Sequence, residues 1–216
     1  MTRLLVVHPT HPHQRLVRQA AEVVAGGGVV AYPTDSSYAL GCRLDDPAGA
    51  RRIRTLRALD ERHELTIMCR SLADIGQVAR LDNWQFRVVR SGVPGRFTFL
   101  VPASRDVPRR ALRVRRSTVG VRISPHPVVA ALLDAVGGPM LTSTLQLPGD
   151  DAPLADAEVI TRRLGAQLDA VIDAGPCTNV PTTVVDLSEK VPVVVRIGGG
   201  DVSTLALDVT GSPTVA

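Results

Sequence analysis

The sequence predicts an α/β or mixed α+β protein, a single domain with helices packed on a twisted sheet. Three observations point there. Short apolar runs rich in β-branched residues alternate with segments whose apolar residues recur at helical spacing. Proline, aspartate and glycine punctuate the ends of the helical segments. No repeat and no low-complexity linker divides the 216 residues before about position 203. A chain of this length buries roughly 70% of its unfolded surface, so the core needs no staple.

The elements follow in order. "RLLVV" (3–7) reads as a first strand. Pro12 is placed at the first position of a helix, "PHQRLVRQAAEVVAG", with Leu16, Ala20, Val23 and Val24 on its apolar side and Gly26–Gly28 as its stop. "GVVAY" is a buried strand, and "YALGCRL" returns from it. Asp46 caps and Pro47 opens the next helix, "DPAGARRIRTLRAL". "LTIMC" is a short strand, and helices follow around 71–79 and 83–91. "VPGRFTFLVPA" holds a turn and a strand, "TVGVRI" another strand, and "PVVAALLDAVGG" a helix with a glycine stop. "PMLTSTLQL" alternates apolar and hydroxyl residues, "DAEVITRRLGAQL" is helical, and "DAVIDAG", "TTVVDL" and "VPVVVRIG" are β-rich. The expected organisation is a strand and loop over 1–11, one domain over 12–202, and a frayed tail over 203–216.

Composition narrows the function. No apolar run approaches the ~18 residues of a membrane span, and the N-terminal run is too short for a signal peptide. The chain reads as cytoplasmic, with no membrane partner. Cys42, Cys69 and Cys177 lie far apart, which argues against a disulfide framework or a zinc knuckle. His8, His11 and His13 have no carboxylate nearby in sequence, so no metal site is assigned. Net charge is +4, and Lys190 is the only lysine. An arginine-dominated positive charge suits oxyanions, because the guanidinium fork matches phosphate and carboxylate. Aromatic residues are 3% of the chain, too few for a base-stacking platform of the single-strand type.

The signatures GxSxG, HExxH, CxxC and GxGxxG are all missing. Hydroxyls and arginines gather at strand ends instead. "PTDSSY" carries Thr34 and Ser36, "LTSTLQLPG" carries Thr144 and Gln146, and "NVPTTVVD" carries Thr182. Arg122 and Arg196 each end an apolar strand. Together they describe one pocket for a phosphate and a small polar substrate. Two further basic clusters stand out: Arg51, Arg52, Arg54 and Arg57 on a helix, and Arg105, Arg109, Arg110, Arg113, Arg115 and Arg116 in "RDVPRRALRVRRS". Such clusters are candidates for contact with a nucleic-acid backbone.

Read in order, "GGGVVAYPTDSSYALGC", "PGRFTFLVPAS", "TVGVRISPHPVVAALLDAVGGPMLTSTLQLPG", "PTTVVDLS" and "VVVRIGGGDV" resemble the YrdC-like family, and within it the YciO branch, over about residues 12–202. The resemblance implies a single YrdC-like domain, a twisted, mostly β open sheet flanked by helices, with a positively charged concave surface. It also implies a nucleotidyltransferase reaction in which ATP, L-threonine and bicarbonate give threonylcarbamoyl-AMP and pyrophosphate, with magnesium, to supply threonylcarbamoyladenosine in tRNA. Carried over residue by residue, Thr34, Ser36, Arg122 and Thr182 fall on the threonine side. Arg57, Thr144, Gln146 and Arg196 fall on the nucleotide side. The reaction needs no protein nucleophile, and no catalytic side chain is assigned. The sequence departs from the family where Lys-x-Arg has become Arg57-Ala58-Leu59, Ser-x-Asn has become Thr144-Leu145-Gln146, and a histidine has become Met68. A leucine in place of a phosphate-facing arginine forfeits charge-assisted hydrogen bonds of about 1.5–3 kcal/mol each. Weak synthase activity is therefore one expectation. The alternative is a protein that binds double-stranded RNA or tRNA through Arg109, Arg110, Arg113, Arg115 and Arg116 without efficient turnover.

Overall fold

The computed structural model describes residues 2–60, 65–105, 107, 118–207 and 214–215. The strands are β1 (Arg3–Val6), β2 (Val30–Pro33), β3 (Tyr38–Arg43), β4 (Thr66–Met68), β5 (Phe97–Pro102), β6 (Thr118–Arg122), β7 (Met140–Thr144), β8 (Ala170–Asp173), β9 (Thr183–Asp186), β10 (Val193–Arg196) and β11 (Thr214–Val215). The helices are α1 (Gln14–Ala25), α2 (Pro47–Leu56), α3 (Leu72–Val78), α4 (Asn83–Gly92), α5 (Pro127–Val136) and α6 (Ala157–Leu164). All strands join one sheet of mixed direction in the order β1-β8-β2-β3-β7-β4-β6-β5-β9-β10-β11.

Local chemistry explains the helix ends. The Asp46 carboxylate accepts from the Ala48 N–H at 2.9 Å, and Pro47 opens α2 as expected. Gly137 closes α5 in the left-handed region, at φ 80°, where only glycine is unstrained. Helix α1 begins at Gln14 rather than at Pro12. His13 keeps an extended backbone, and its side chain makes no capping bond. The first residue of α1 to enter the core is Val17, followed by Ala20, Ala21 and Val24, so nothing upstream draws Pro12 into the helix.

The two sheet faces are covered differently. Helices α2, α3, α4 and α6 pack on one face, where Ile53, Ile75, Val88, Val89 and Ile160 meet strand residues such as Leu40, Ile67, Val121 and Val185. Helices α1 and α5 pack on the other. Their Val17, Ala20, Val24, Val128 and Leu132 cover Leu5, Tyr32, Met68, Met140 and Ile172, which belong to β1, β2, β4, β7 and β8. No residue of β5, β6 or β9 belongs to that second cluster. This half of the face, left bare by the helices, is the ground on which the candidate site lies.

The outer segments are tied to the same sheet. Strand β1 pairs in parallel with β8 from Arg3↔Ala170 to Val6↔Asp173, and Leu205 is buried against the core. The expectation of a frayed tail otherwise falls largely on 208–213 and 216, outside the described residues. None of the helices among the described residues is long and apolar enough to cross a membrane.

Candidate functional site

A cavity of about 640 Å³ opens over the bare half of the sheet. Its floor is a cross-strand row. Thr142 of β7, Thr66 of β4, Gly120 of β6 and Leu100 of β5 are successive register partners, and all four line the cavity. The walls come from strand ends and loops. The residues expected on the threonine side, Thr34, Ser36, Arg122 and Thr182, and those expected on the nucleotide side, Arg57, Thr144, Gln146 and Arg196, all line this one cavity.

The loop after β2 is held by its own hydroxyl. Thr34 Oγ1 donates to the Ser37 carbonyl at 2.7 Å and accepts from the Ser36 N–H at 3.1 Å. Thr34 therefore shapes the turn, while Ser36 and Ser37, both buried, border the cavity beside it. The Ser36 carbonyl accepts from the Asn179 N–H at 2.7 Å, which pins the loop to the segment before β9. Asn179 adopts φ 60°, a left-handed conformation that asparagine tolerates better than most residues.

Three guanidinium groups enter the cavity with different partners. Arg122 Nη2 donates to Asp35 Oδ1 at 2.7 Å, with 9% and 8% of the two side chains exposed. Ser124 Oγ also donates to Asp35 Oδ1. Asp35 Oδ2 and Arg122 Nε remain buried without a partner. Arg196 donates from Nε and Nη2 to the Thr182 carbonyl at 3.1 and 2.9 Å, and from Nη2 to Thr182 Oγ1 at 3.1 Å. Thr182 Oγ1 in turn lies 2.9 Å from Thr98 Oγ1. Arg57 donates to Ser143 Oγ and, from Nε at 3.3 Å, to the Gln146 carbonyl.

Electrostatics follow from these contacts. Burial pulls the Arg57 guanidinium below its ordinary value. Burial does the same at Arg196, with the positive charge of Arg122 adding to it. Both groups favour an anion that would restore the lost solvation. Cys177, beside the Thr34 loop, has its thiol pushed up to about 11, chiefly by burial, so it is no thiolate nucleophile at neutral pH. Tyr32 is pushed up to about 12 by burial, and its hydroxyl is spent 2.6 Å from Thr142 Oγ1.

The structure regroups some of the sequence-derived residues. Arg196, expected on the nucleotide side, bonds Thr182 and lies within the field of Arg122, both expected on the threonine side. Leu59 does not line the cavity; its N–H closes the end of α2 on the Arg54 carbonyl at 2.9 Å. Met68 is a core residue under α1 and α5. The α2 arginines do not share one surface, because Arg52 turns to Asp169 at 2.8 Å while Arg57 enters the cavity. Arg109, Arg110, Arg113, Arg115 and Arg116 lie outside the described residues.

Sequence reasoning noted Asp35 and Ser143 within its polar clusters without giving either a role, and passed over Asn179. Asp35 is the only carboxylate of "PTDSS", and Ser143 is the middle of "TST". Both signals were present, but only the fold supplies Arg122 and Arg57 as their partners.

The family model for Sua5, YciO and YrdC, described as "Telomere recombination", matches residues 22–198. The Escherichia coli K12 protein YciO, described as uncharacterized, is 44% identical over 202 residues, covering 94% of this chain and 98% of that one. The crystal structure of E. coli YciO is similar with a TM-score of 0.91 at 43% identity, over 95% of this chain and 100% of that one. The threonylcarbamoyl-AMP synthase of Alkalilimnicola ehrlichii is 33% identical over 174 residues, 78% of this chain and 87% of that one. The crystal structure of P. abyssi Sua5 complexed with L-threonine has a TM-score of 0.83 at 26% identity, over 92% of this chain and 58% of that one.

Proposed function

Because this chain belongs to the Sua5/YciO/YrdC family, we propose that it makes threonylcarbamoyl-AMP from ATP, L-threonine and bicarbonate in the cytoplasm, at a low rate, for the tRNA modification pathway. The observation that carries this reading is the single cavity lined by three arginines and a ring of hydroxyls, with Asp151 its one acidic lining residue among the described residues.

The chemistry requires positioning more than a protein nucleophile. The threonine amine joins the carbon of bicarbonate, water leaves, and a carbamate results. A carbamate oxygen then attacks the α-phosphorus of ATP, and the bond to the bridging oxygen breaks with its electron pair passing to pyrophosphate. Charge builds on phosphate oxygens throughout, and fixed guanidinium groups stabilise it without reorganising. In our reading Arg122, Arg196, Thr182 and Ser36 hold the amino acid, since paired cations and hydroxyls match its carboxylate and side-chain hydroxyl. Arg57, Thr144 and Gln146 hold the nucleotide at the other wall. Magnesium would enter with ATP as part of the substrate, and Asp151 would be the one lining carboxylate to meet it, which would suit an ion carried chiefly by phosphates. Leu59 stands where the family carries its second basic residue, so this position adds no cation beside Arg57, which accounts for a low rate.

Labelled ATP, L-threonine and bicarbonate test this directly. Pyrophosphate release that depends on both threonine and bicarbonate, and that is lost in Ser36→Ala and Arg196→Ala, is the expected result. Absence of threonine-dependent release under conditions where an authentic synthase turns over refutes it.

A further inference from the structure

An edge strand shows unpaired backbone to water, and proteins ordinarily blunt such edges with lysine, proline, a bulge or a covering segment. At one end of the sheet the chain does this itself, because β11 pairs with β10. At the other end β1 has none of these devices. No lysine or proline lies between Thr2 and His8. The register with β8 runs from Arg3 to Val6 without a bulge. Among the described residues, β8 is the only strand that pairs with β1.

The backbone pattern shows which groups are left over. The Arg3 N–H donates to the Asp169 carbonyl at 3.1 Å, and the Val7 N–H to the Asp173 carbonyl at 2.7 Å. Backbone groups alternate sides along a strand, so Arg3, Leu5 and Val7 serve β8, while Leu4 and Val6 present N–H and C=O outward. The side chains of the same two residues are also unspent. Leu5 and Val7 point into the core under α1 and α5. Leu4 and Val6 point to the opposite face, 43% and 62% exposed, and join neither core cluster.

A second copy of the chain satisfies both sets at once. With a two-fold axis at Leu5, perpendicular to the sheet, two β1 strands run antiparallel and Leu5 faces the partner's Leu5. Leu4 then stands opposite the partner's Val6 as a hydrogen-bonded pair, in which each residue exchanges both backbone bonds. Their side chains share the exposed face, and the two-fold joins both pairs into one apolar patch. Charge agrees with this register. Arg3 is the one charged residue of β1, and the two copies of it stand about 13 Å apart along the strands. Sliding the axis to Leu4 sets Val6 against the partner's Thr2, and sliding it to Val6 sets Leu4 against the partner's His8. Only the axis at Leu5 matches apolar to apolar throughout. A foreign strand gains the same backbone bonds but must bring its own match for Leu4 and Val6.

We propose that β1 is a self-association edge, through which two copies of this chain pair antiparallel across Leu4 and Val6 into one continuous sheet. Two short strands cover far less than the ~800 Å² per partner of a standard interface, so the dimer is weak, with a dissociation constant on the order of 10⁻⁴ M. No residue of β1 lines the cavity, so pairing leaves the candidate site open.

Sedimentation equilibrium of the full chain, from well below that constant to about tenfold above it, tests the pairing. The wild-type mass should rise from one chain towards two. Leu4→Lys/Val6→Lys and Leu4→Glu/Val6→Glu each set like charges face to face and should weaken pairing by about tenfold or more, whereas an equimolar mixture of the two should pair again. Val6→Pro removes an outward N–H, at a position where an edge strand tolerates proline, and should weaken pairing similarly while the bonds to β8 and the melting temperature hold. A chain that remains single at every concentration overturns the proposal, whether the edge then stays bare or takes a different partner. So does a dimer unmoved by the charged variants, a mixture that fails to pair, or growth past two copies, which marks an open contact in place of a closed two-fold. Should Val6→Pro fail to fold, the charged variants, whose altered side chains stand on the exposed face, decide alone.

Discussion

Replacing Asp35 by alanine removes the carboxylate that faces Arg122 at 2.7 Å. Arg122 then keeps a charge that is 9% exposed, with Nε already lacking a partner, and Ser124 Oγ loses its acceptor as well. Breaking a buried pair from one side costs about 3–5 kcal/mol, because the desolvated partner stays behind. A domain of this size shifts by about 2–4 °C per kcal/mol, so the melting temperature should fall by roughly 6–20 °C. Removing both charges in Asp35→Ala/Arg122→Met should recover much of that loss, since no charge is left stranded. Urea denaturation followed by far-ultraviolet circular dichroism and by the fluorescence of Trp84 reads both variants. A single variant that loses less than about 1 kcal/mol, or a double variant no more stable than the single one, would falsify the view that this pair is coupled in a dry environment.

Other outcomes follow from the same geometry. Arg57→Ala should weaken ATP binding by about tenfold or more, the worth of one charge-assisted hydrogen bond, and leave L-threonine binding unchanged; calorimetry with each ligand separates the two. Thr182→Val keeps the shape of the side chain but removes the oxygen that meets Arg196 Nη2 and Thr98 Oγ1, so L-threonine affinity should drop severalfold with ATP affinity held. His126 Nδ1 accepts from the Val128 N–H at 3.2 Å to cap α5, and burial lowers its pKa in the folded protein. The unfolded chain thus binds the proton first. This contribution to stability is full above the unfolded value of about 6.5 and declines as pH falls below it towards the folded value. His126→Asn, which keeps a capping acceptor without the titration, should flatten the slope of unfolding free energy between about pH 7.5 and 5.5, measured by urea titration.

Much of this architecture was legible where the cause is local. Asp46-Pro47 and Gly137 mark helix ends because capping involves residues within one turn, and the sequence carries the whole interaction. The hydroxyl-rich strand ends were legible as a group because polar residues closing apolar runs are conspicuous. What could not be read was which of them meet. Arg196 pairs with Thr182 across the β9–β10 hairpin, and Arg57 reaches Ser143 across 86 residues of sequence. The start of α1 was misplaced for a related reason: proline's local preference was weighed, whereas burial of Val17 and Ala20 against the sheet sets the first turn. Asp35 went unassigned because its partner, Arg122, arrives from β6, 87 residues away in sequence.

The sheet order has a bearing on how the cavity comes into being. Neighbours in the floor and walls come from β3, β7, β4, β6, β5 and β9, a sequence of strands that jumps back and forth along the chain. No contiguous fragment contains a usable part of the cavity, and it exists only once the central strands have all closed on one another. Occupancy is therefore linked to global rather than local unfolding. A ligand at a hundred times its dissociation constant should stabilise the whole protein by about 2.7 kcal/mol. That protection should appear in amide exchange even in β1 and β8, strands that contribute no side chain to the cavity, because opening them to exchange by global unfolding also empties the site.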